Sequence, residues 1–283
     1  MTFCKMENSV AESRSKDGSR TSVLSSDTDS IHLLGVRFHN LTTHEAANQI
    51  EEFIRDGRPR MILARNAAIR VMEDQDPWLQ RLYHTSDLVT VDGMAFIYLG
   101  RLLGYPFKEM TGGPSLWYEV LRRAALRDYR VFLLGAEEET LRRAVAKLRQ
   151  QCPGLQIVGW QNGYFRPEEE DRVVDAIQQL RPHILMVGMS SPMKERFLES
   201  NAQRLGVPAC IGIGGAIDIF AGVHKLAPSW MRKACLEWAY RVWQEPRRLL
   251  KRYLISNARF VLLVLEYLTG VGVKASAQSS GEW

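Results

Sequence analysis

The stretch HILMVGMSSPMKERFLESNAQRLGVPACIGIGGAIDIF, residues 183–220, decides the fold. His183 to Val187 is a short apolar run ended by Gly188, residues 192–205 carry a helical pattern, and Ala209 to Ile213 is a second apolar run before Gly214-Gly215 and a short helix over 216–221. Strands this continuous in Val, Ile and Leu are buried on both faces, and strands alternating with helices make a parallel sheet covered by helices. The same alternation extends upstream. Arg60 to Ala64, Asp87 to Val91, Tyr129 to Leu134 and Gln156 to Gly159 read as strands, with helices at about 67–85, 93–103, 114–127, 137–151 and 168–180. Ile31 to Phe38 reads as one further strand, and Thr42 with Glu45 has the spacing of a capping box that opens a helix to about Arg55. The expected architecture is α/β, a Rossmann-like parallel sheet flanked by helices with a helical C-terminal appendage.

The chain divides by composition. Residues 1–30 hold eight serines and no apolar run of signal-peptide length, and read as a disordered tail. Residues 31–230 carry the α/β pattern. From 231 to 283 the character changes to a basic, aromatic-rich helical appendage. Eight basic residues between Met231 and Phe260 stand against Glu237 and Glu245, with Trp230, Trp238 and Trp243 close by. With Pro246 in the first turn of a helix, Leu249, Leu250, Tyr253 and Leu254 fall on one face, and Arg247, Arg248, Lys251 and Arg252 on the other. Three uses fit that pattern: contact with anionic lipid, a solvated basic face on a helix packed against the core, or arginines folded over a site to hold a diphosphate. The late apolar run Phe260 to Leu265 is broken by Glu266 and falls far short of the ~20 residues a spanning helix needs.

With 283 residues and 46% apolar content, the chain has material for a large core. Lys and Arg exceed Asp and Glu by 37 to 32, too little for a nucleic-acid coat. Cys4, Cys152, Cys210 and Cys235 lie far apart, suggesting neither zinc site nor disulfide framework and fitting a reducing cytoplasm. The six histidines show no metal spacing. Asp27-Thr-Asp29 looks like a metal-holding D-x-D but lies in the serine-rich tail, and is set aside.

In open parallel sheets ligands bind beyond the carboxyl ends of the strands. The residues there are Asn66, Asp92-Gly93, Gly135, Gly188 and Gly214-Gly215. Small residues at such turns let backbone N–H groups approach a phosphate or sugar. Gly212-x-Gly214-Gly215 starts like G-x-G-x-x-G, but Ile217 stands at its last position and no P-loop occurs, which argues against a dehydrogenase or P-loop enzyme. Asp92, a carboxylate at the end of a buried strand, has the setting of a general base. It also has the setting of an ordinary cap or turn residue, as do Asn66 and Asp218.

An ordered set of motifs sharpens this. They are Asn66, Asp87-Leu-Val-x-x-Asp92-Gly93, Thr111-Gly112, Phe132-Leu-Leu-Gly135, Gly163-Tyr-Phe165, Gly188-Met-Ser-Ser-Pro192-x-x-Glu195, Gly212-x-Gly-Gly-x-x-Asp218, Ala221-Gly222, Ala227-Pro228-x-Trp230 and Glu237-Trp-x-Tyr-Arg241-x-x-x-Glu-Pro246-x-Arg248. Over about residues 32–262 the chain resembles the WecG/TagA/CpsF glycosyltransferases of bacterial surface-polymer assembly. The resemblance implies a metal-independent, inverting transfer of a hexose or N-acetylmannosamine-type sugar from a UDP-sugar to a polyprenyl-diphosphate-linked acceptor. It implies a peripheral, self-associating protein on the cytoplasmic face of the inner membrane, with no nucleic-acid partner. Asp92 matches the base and Asn66 the pocket residue beside it. Thr111, Gly112, Gly135, Gly188, Lys194, Glu195, Gly214, Gly215 and Asp218 match substrate-binding positions of the core, and Arg241, Arg248, Lys251 and Arg252 match appendage positions that engage the diphosphate. The sequence departs from the family's frequent pattern at Ala64, Pro114, Lys194 and Leu226, where Thr, Asp, Gln and Arg are common. A non-catalytic sugar-nucleotide-binding or scaffold protein of a polysaccharide assembly complex is the alternative.

Overall fold

A computed structural model describes residues 30–270. The serine-rich tail and Asp27-Thr-Asp29 lie outside the described residues, except that Ser30 opens the first strand.

Six strands form one parallel sheet: β3 (Arg60–Arg65), β4 (Leu88–Val91), β5 (Arg130–Gly135), β6 (Gln156–Gln161), β7 (Ile184–Gly188) and β8 (Ala209–Gly212). Their order is β4-β3-β8-β7-β5-β6 and every neighbouring pair is parallel, as the apolar runs predict. Register aligns the carboxyl ends: Arg65 pairs with Val91, Gly135 with Gly188, and Val187 with Gly212. The residues that follow these strands therefore gather along one edge of the sheet.

Both faces of the sheet are covered. One carries Leu133, Met186 and Ile211 against Ile50, Trp117, Leu148 and Ile217, and the other carries Leu63, Leu134 and Val187 against Tyr83, Ile177 and Leu198. Each such aliphatic side chain stabilises by about 1.5–3 kcal/mol when fully buried. The covering helices are α1 (Thr43–Asp56), α2 (Ala67–Gln75), α3 (Pro77–Thr85), α4 (Met94–Leu102), α5 (Pro114–Leu126), α6 (Glu138–Gln151), α7 (Glu170–Leu180), α8 (Met193–Leu205) and α9 (Ala216–Ala221). The predicted capping box opens α1, with Thr42 Oγ1 accepting from the Glu45 amide and Glu45 accepting from the Thr42 amide.

Two local expectations change. Ile31 to Phe38 is not one strand: β1 (Ser30–Leu33) and β2 (Val36–His39) form a separate antiparallel hairpin. Leu34 and Gly35 both turn with positive φ, 54° and 71°, which folds the apolar run back on itself. The helix expected over 67–85 breaks at Asp76, whose side chain accepts from the Trp78 amide while Pro77 opens α3.

Beyond the sheet come α10 (Ser229–Lys233), α11 (Glu237–Gln244) and α12 (Pro246–Thr269). The seated face of α12 differs from the expected one. Leu249, Ser256 and Phe260 are buried with Tyr253 half-buried, a stripe of helical period, and the Phe260 ring meets Phe96 at 5.4 Å between centroids. Leu250 and Leu254 instead point outward, and with Val261, Leu265 and Leu268 they form an exposed apolar stripe. Among the described residues no helix is long and apolar enough to cross a membrane.

Candidate active site

A crevice of about 950 Å³ runs along the carboxyl edge of the sheet and is closed over by α10–α12. Its floor comes from the strand ends and its cover from the appendage.

Asp92 follows β4, with its backbone N–H bonded to the Arg65 carbonyl at 2.9 Å. Behind it Gly112 bonds the Val91 carbonyl at 2.6 Å, and a Cβ on Gly112 would stand 2.6 Å from Asp92 Cβ. The glycine therefore backs the aspartate and holds it forward. From the adjacent strand Asn66 Nδ2 donates to Asp92 Oδ2 at 3.4 Å, while Asn66 Oδ1 accepts from the Ile69 amide at 3.0 Å and caps α2. The cap and pocket readings of Asn66 are thus both realised, since its two amide atoms do different work. Burial holds the Asp92 carboxyl above its ordinary range. Glu237 adds to that rise, and Arg241, the Asn66 hydrogen bond and Lys194 oppose it.

The middle of the floor is bare backbone. A Cβ on Gly135 would lie 2.4 Å from the backbone of Gly188, and one on Gly188 would lie 2.4 Å from Ile217 Cδ1. Gly214 and Gly215 line the opening beyond β8, followed by Asp218, whose carboxyl burial also raises. Lys194 reaches the crevice from α8 along Gly212, where a Cβ would crowd its Cε at 3.2 Å. Its ammonium donates to Ser191 Oγ and Glu195 Oε1, and that carboxylate oxygen also accepts from Tyr83 Oη at 3.0 Å and Ser191 Oγ at 2.9 Å.

The cover supplies cations. Arg241, Arg248 and Arg252 all line the crevice. Arg241 Nη2 contacts Glu237 Oε1 at 3.3 Å, and Arg248 forks onto Glu245, whose other partner is His224 at 2.7 Å. Besides the His224–Glu245 pair, two side-chain hydrogen-bond clips join the cover to the core. Gln244 accepts from the Lys225 amide at 2.9 Å and donates to the Lys225 carbonyl at 3.1 Å, and Tyr98 Oη donates to the Lys233 carbonyl at 2.6 Å.

Of the residues singled out from sequence, Asp92, Asn66, Gly188, Lys194, Gly214, Gly215, Asp218, Arg241, Arg248 and Arg252 meet on one lining. The others do not reach it. Thr111 is fully buried and donates to the Leu41 carbonyl, Gly112 and Gly135 stand behind the lining, Glu195 anchors Lys194 from below, and Lys251 faces solvent. Glu237, Trp238, Tyr253 and Tyr164 line the crevice without having been selected. The motif Glu237-Trp-x-Tyr-Arg241 carried that signal, because positions one turn apart share a helix face. Among the described residues no three His, Cys, Asp or Glu side chains converge as metal ligands.

The profile described as "Glycosyl transferase WecG/TagA/CpsF family" matches residues 31–272. Three curated relatives carry the name N-acetylglucosaminyldiphosphoundecaprenol N-acetyl-beta-D-mannosaminyltransferase. The Bacillus spizizenii protein is 26% identical over 215 residues, covering 76% of this chain and 82% of its own length. The Bacillus subtilis protein is 29% identical over 182 residues, covering 64% and 70%, and the Staphylococcus aureus protein is 27% identical over 227 residues, covering 79% and 88%.

Proposed function

Because the chain belongs to the WecG/TagA/CpsF family and is a glycosyltransferase, we propose that it moves an N-acetylmannosamine-type sugar from a UDP-sugar to a polyprenyl-diphosphate-linked sugar in bacterial polysaccharide assembly. The observation that carries this reading is one crevice in which a half-buried carboxylate, Asp92, and three arginines of the appendage share a lining. The names of the curated relatives supply the sugar and the acceptor class.

In this reaction Asp92 removes the proton of the acceptor hydroxyl, whose oxygen bonds the anomeric carbon as the bond from that carbon to the diphosphate oxygen breaks. A single displacement of this kind inverts the anomeric centre. The electron pair leaves on the diphosphate, and Arg241, Arg248 and Arg252 stabilise the charge that grows there, the work a metal ion does elsewhere. Asn66 holds the aspartate in line. The reaction runs without a metal. The enzyme works as a peripheral homo-oligomer on the cytoplasmic face of the membrane, with the exposed stripe Leu250, Leu254, Val261, Leu265 and Leu268 laid on lipid beside Arg247 and Lys251.

The test is turnover of UDP-sugars with a short-chain polyprenyl-diphosphate sugar, reading UDP and glycosylated product. Asp92→Asn is expected to lower turnover by about 10²–10⁴-fold while UDP still binds. Undiminished turnover in that variant, or none with any donor in folded, lipid-supplied protein, overturns the reading.

A further inference from the structure

Glu237 has no task in the reaction as described, yet it opens α11 and lines the crevice that holds Asp92. It is less than a third exposed, and its Oε1 meets Arg241 Nη2 one helical turn later through a single 3.3 Å contact. Its helix is held over the floor by the Gln244–Lys225 clip, by Tyr98 on the preceding helix, and by Trp238 against Tyr253 of α12 at 6.3 Å between centroids. Two carboxylates on the lining of one crevice repel each other, and Glu237 adds to the rise that burial gives the Asp92 carboxyl.

We propose that Glu237 is a positioning residue for the transfer reaction, tying the seating of the appendage and the arrival of donor to proton removal by Asp92; this rests on the reading of Asp92 as the base. The groups that act on Asp92 are Glu237 and Arg241 from α11, Lys194 from α8 and Asn66 at the start of α2; the same lining carries Arg232 of α10, Arg248, Arg252 and Tyr253 of α12, Glu245 between α11 and α12, Asp218 of α9, His224 and Lys225 after it, and Glu137 before α6. With α11 seated, Glu237 disfavours the ionised form of Asp92 and makes it the stronger base, while Arg241 offsets part of the effect. An incoming diphosphate competes for the Arg241 guanidinium, so donor binding leaves Glu237 less neutralised and strengthens the base at the moment the acceptor reacts. The acceptor proton ends on Asp92, and Glu237 takes none.

The experiment is titration of the full-length protein carrying ¹³C-carboxylate aspartate, with the Asp92 signal assigned by its loss in Asp92→Asn, alongside the pH profile of kcat/KM. Glu237→Gln keeps an acceptor oxygen for Arg241 and removes the charge. The Asp92 titration is expected to move down by about half a pH unit or more, with the acid limb of kcat/KM following it. Arg241→Gln, read by resonance alone, is expected to move the titration upward. Unseating of α11 would shift both variants in the same direction, and that result overturns the proposal, as does an Asp92 titration unmoved in Glu237→Gln. A resonance that moves while the acid limb stays fixed overturns the reading of Asp92 as base, and the proposal with it.

Discussion

The floor and the cover of the crevice are built on opposite terms. The floor is fixed by close-packed backbone: Gly135, Gly163, Gly188 and Ile217 stand so near one another that a single added carbon at any of the three glycines meets a neighbour at 3.0 Å or less. The cover is fixed by side-chain contacts, a few polar clips and the packing of Phe260, Leu263, Val264 and Tyr267 of α12 on the cluster around Phe96, and it leaves Trp243 three-quarters exposed. Asp92 therefore stands beside a surface that cannot shift without loss of the fold, while the arginines arrive on a separate element laid over it. That division suits the reaction proposed above, in which the donor must enter, be neutralised and leave as a nucleotide.

Three changes test the contrast. Gly135→Ala strikes the floor, placing a carbon 2.4 Å from the Gly188 backbone at a φ of +133° that disfavours a side chain. A loss of about 3 kcal/mol or more in chemical denaturation is expected; a variant within about 0.5 kcal/mol of the parent would show that the floor yields. His39, at the end of β2, probes the edge strand of the sheet that carries the floor. Its Nδ1 accepts from the Val89 amide at 2.9 Å, and burial, then Arg37, lowers its pKa to about 4. The folded pKa lies below the unfolded one, so the unfolded chain binds the proton first. Stability is complete above about pH 6.5 and falls by about 3 kcal/mol as the pH drops to about 4. Urea midpoints across that window check the slope, which His39→Gln should flatten. The smallest effect is expected at the cover. Gln244→Ala should cost about 1 kcal/mol of docking, seen as a several-fold weaker donor KM with an unchanged denaturation midpoint. A midpoint that falls with it would mean that floor and cover unfold as one unit.

Much of the floor was legible because it follows from two simple patterns, apolar runs of strand length and the polar or small residue just after each. Asp92, Asn66, Gly188 and Gly214 could be placed from those alone, before any resemblance was invoked. Thr111 could not, because nothing in a Thr-Gly pair says that the hydroxyl turns inward to the Leu41 carbonyl. The hairpin at Leu34-Gly35 was hidden because a leucine occupies a left-handed position where Asn or Asp would have announced the turn. The break at Asp76-Pro77 has its signal in the Asp-Pro pair, but the apolar period runs on across it and masks the boundary. The cover was the least legible. On α12 the basic and apolar residues sort into two stripes, and only the packing of Phe260 on Phe96 decides that Leu249 turns inward and Leu250 outward.

Gln244 holds the loop at Lys225 by main-chain atoms only, one amide side chain answering one N–H and one C=O. The fastening is blind to the side chain at position 225. Any residue with a backbone N–H can stand there and leave the cover in place, and proline is the one that cannot. Position 225 borders the crevice, so its side chain can change with whatever the crevice holds while the geometry of α11 stays constant. The clip between the two halves of the site thus leaves room for substrate preference to drift without the arrangement of Asp92 and the arginines drifting with it.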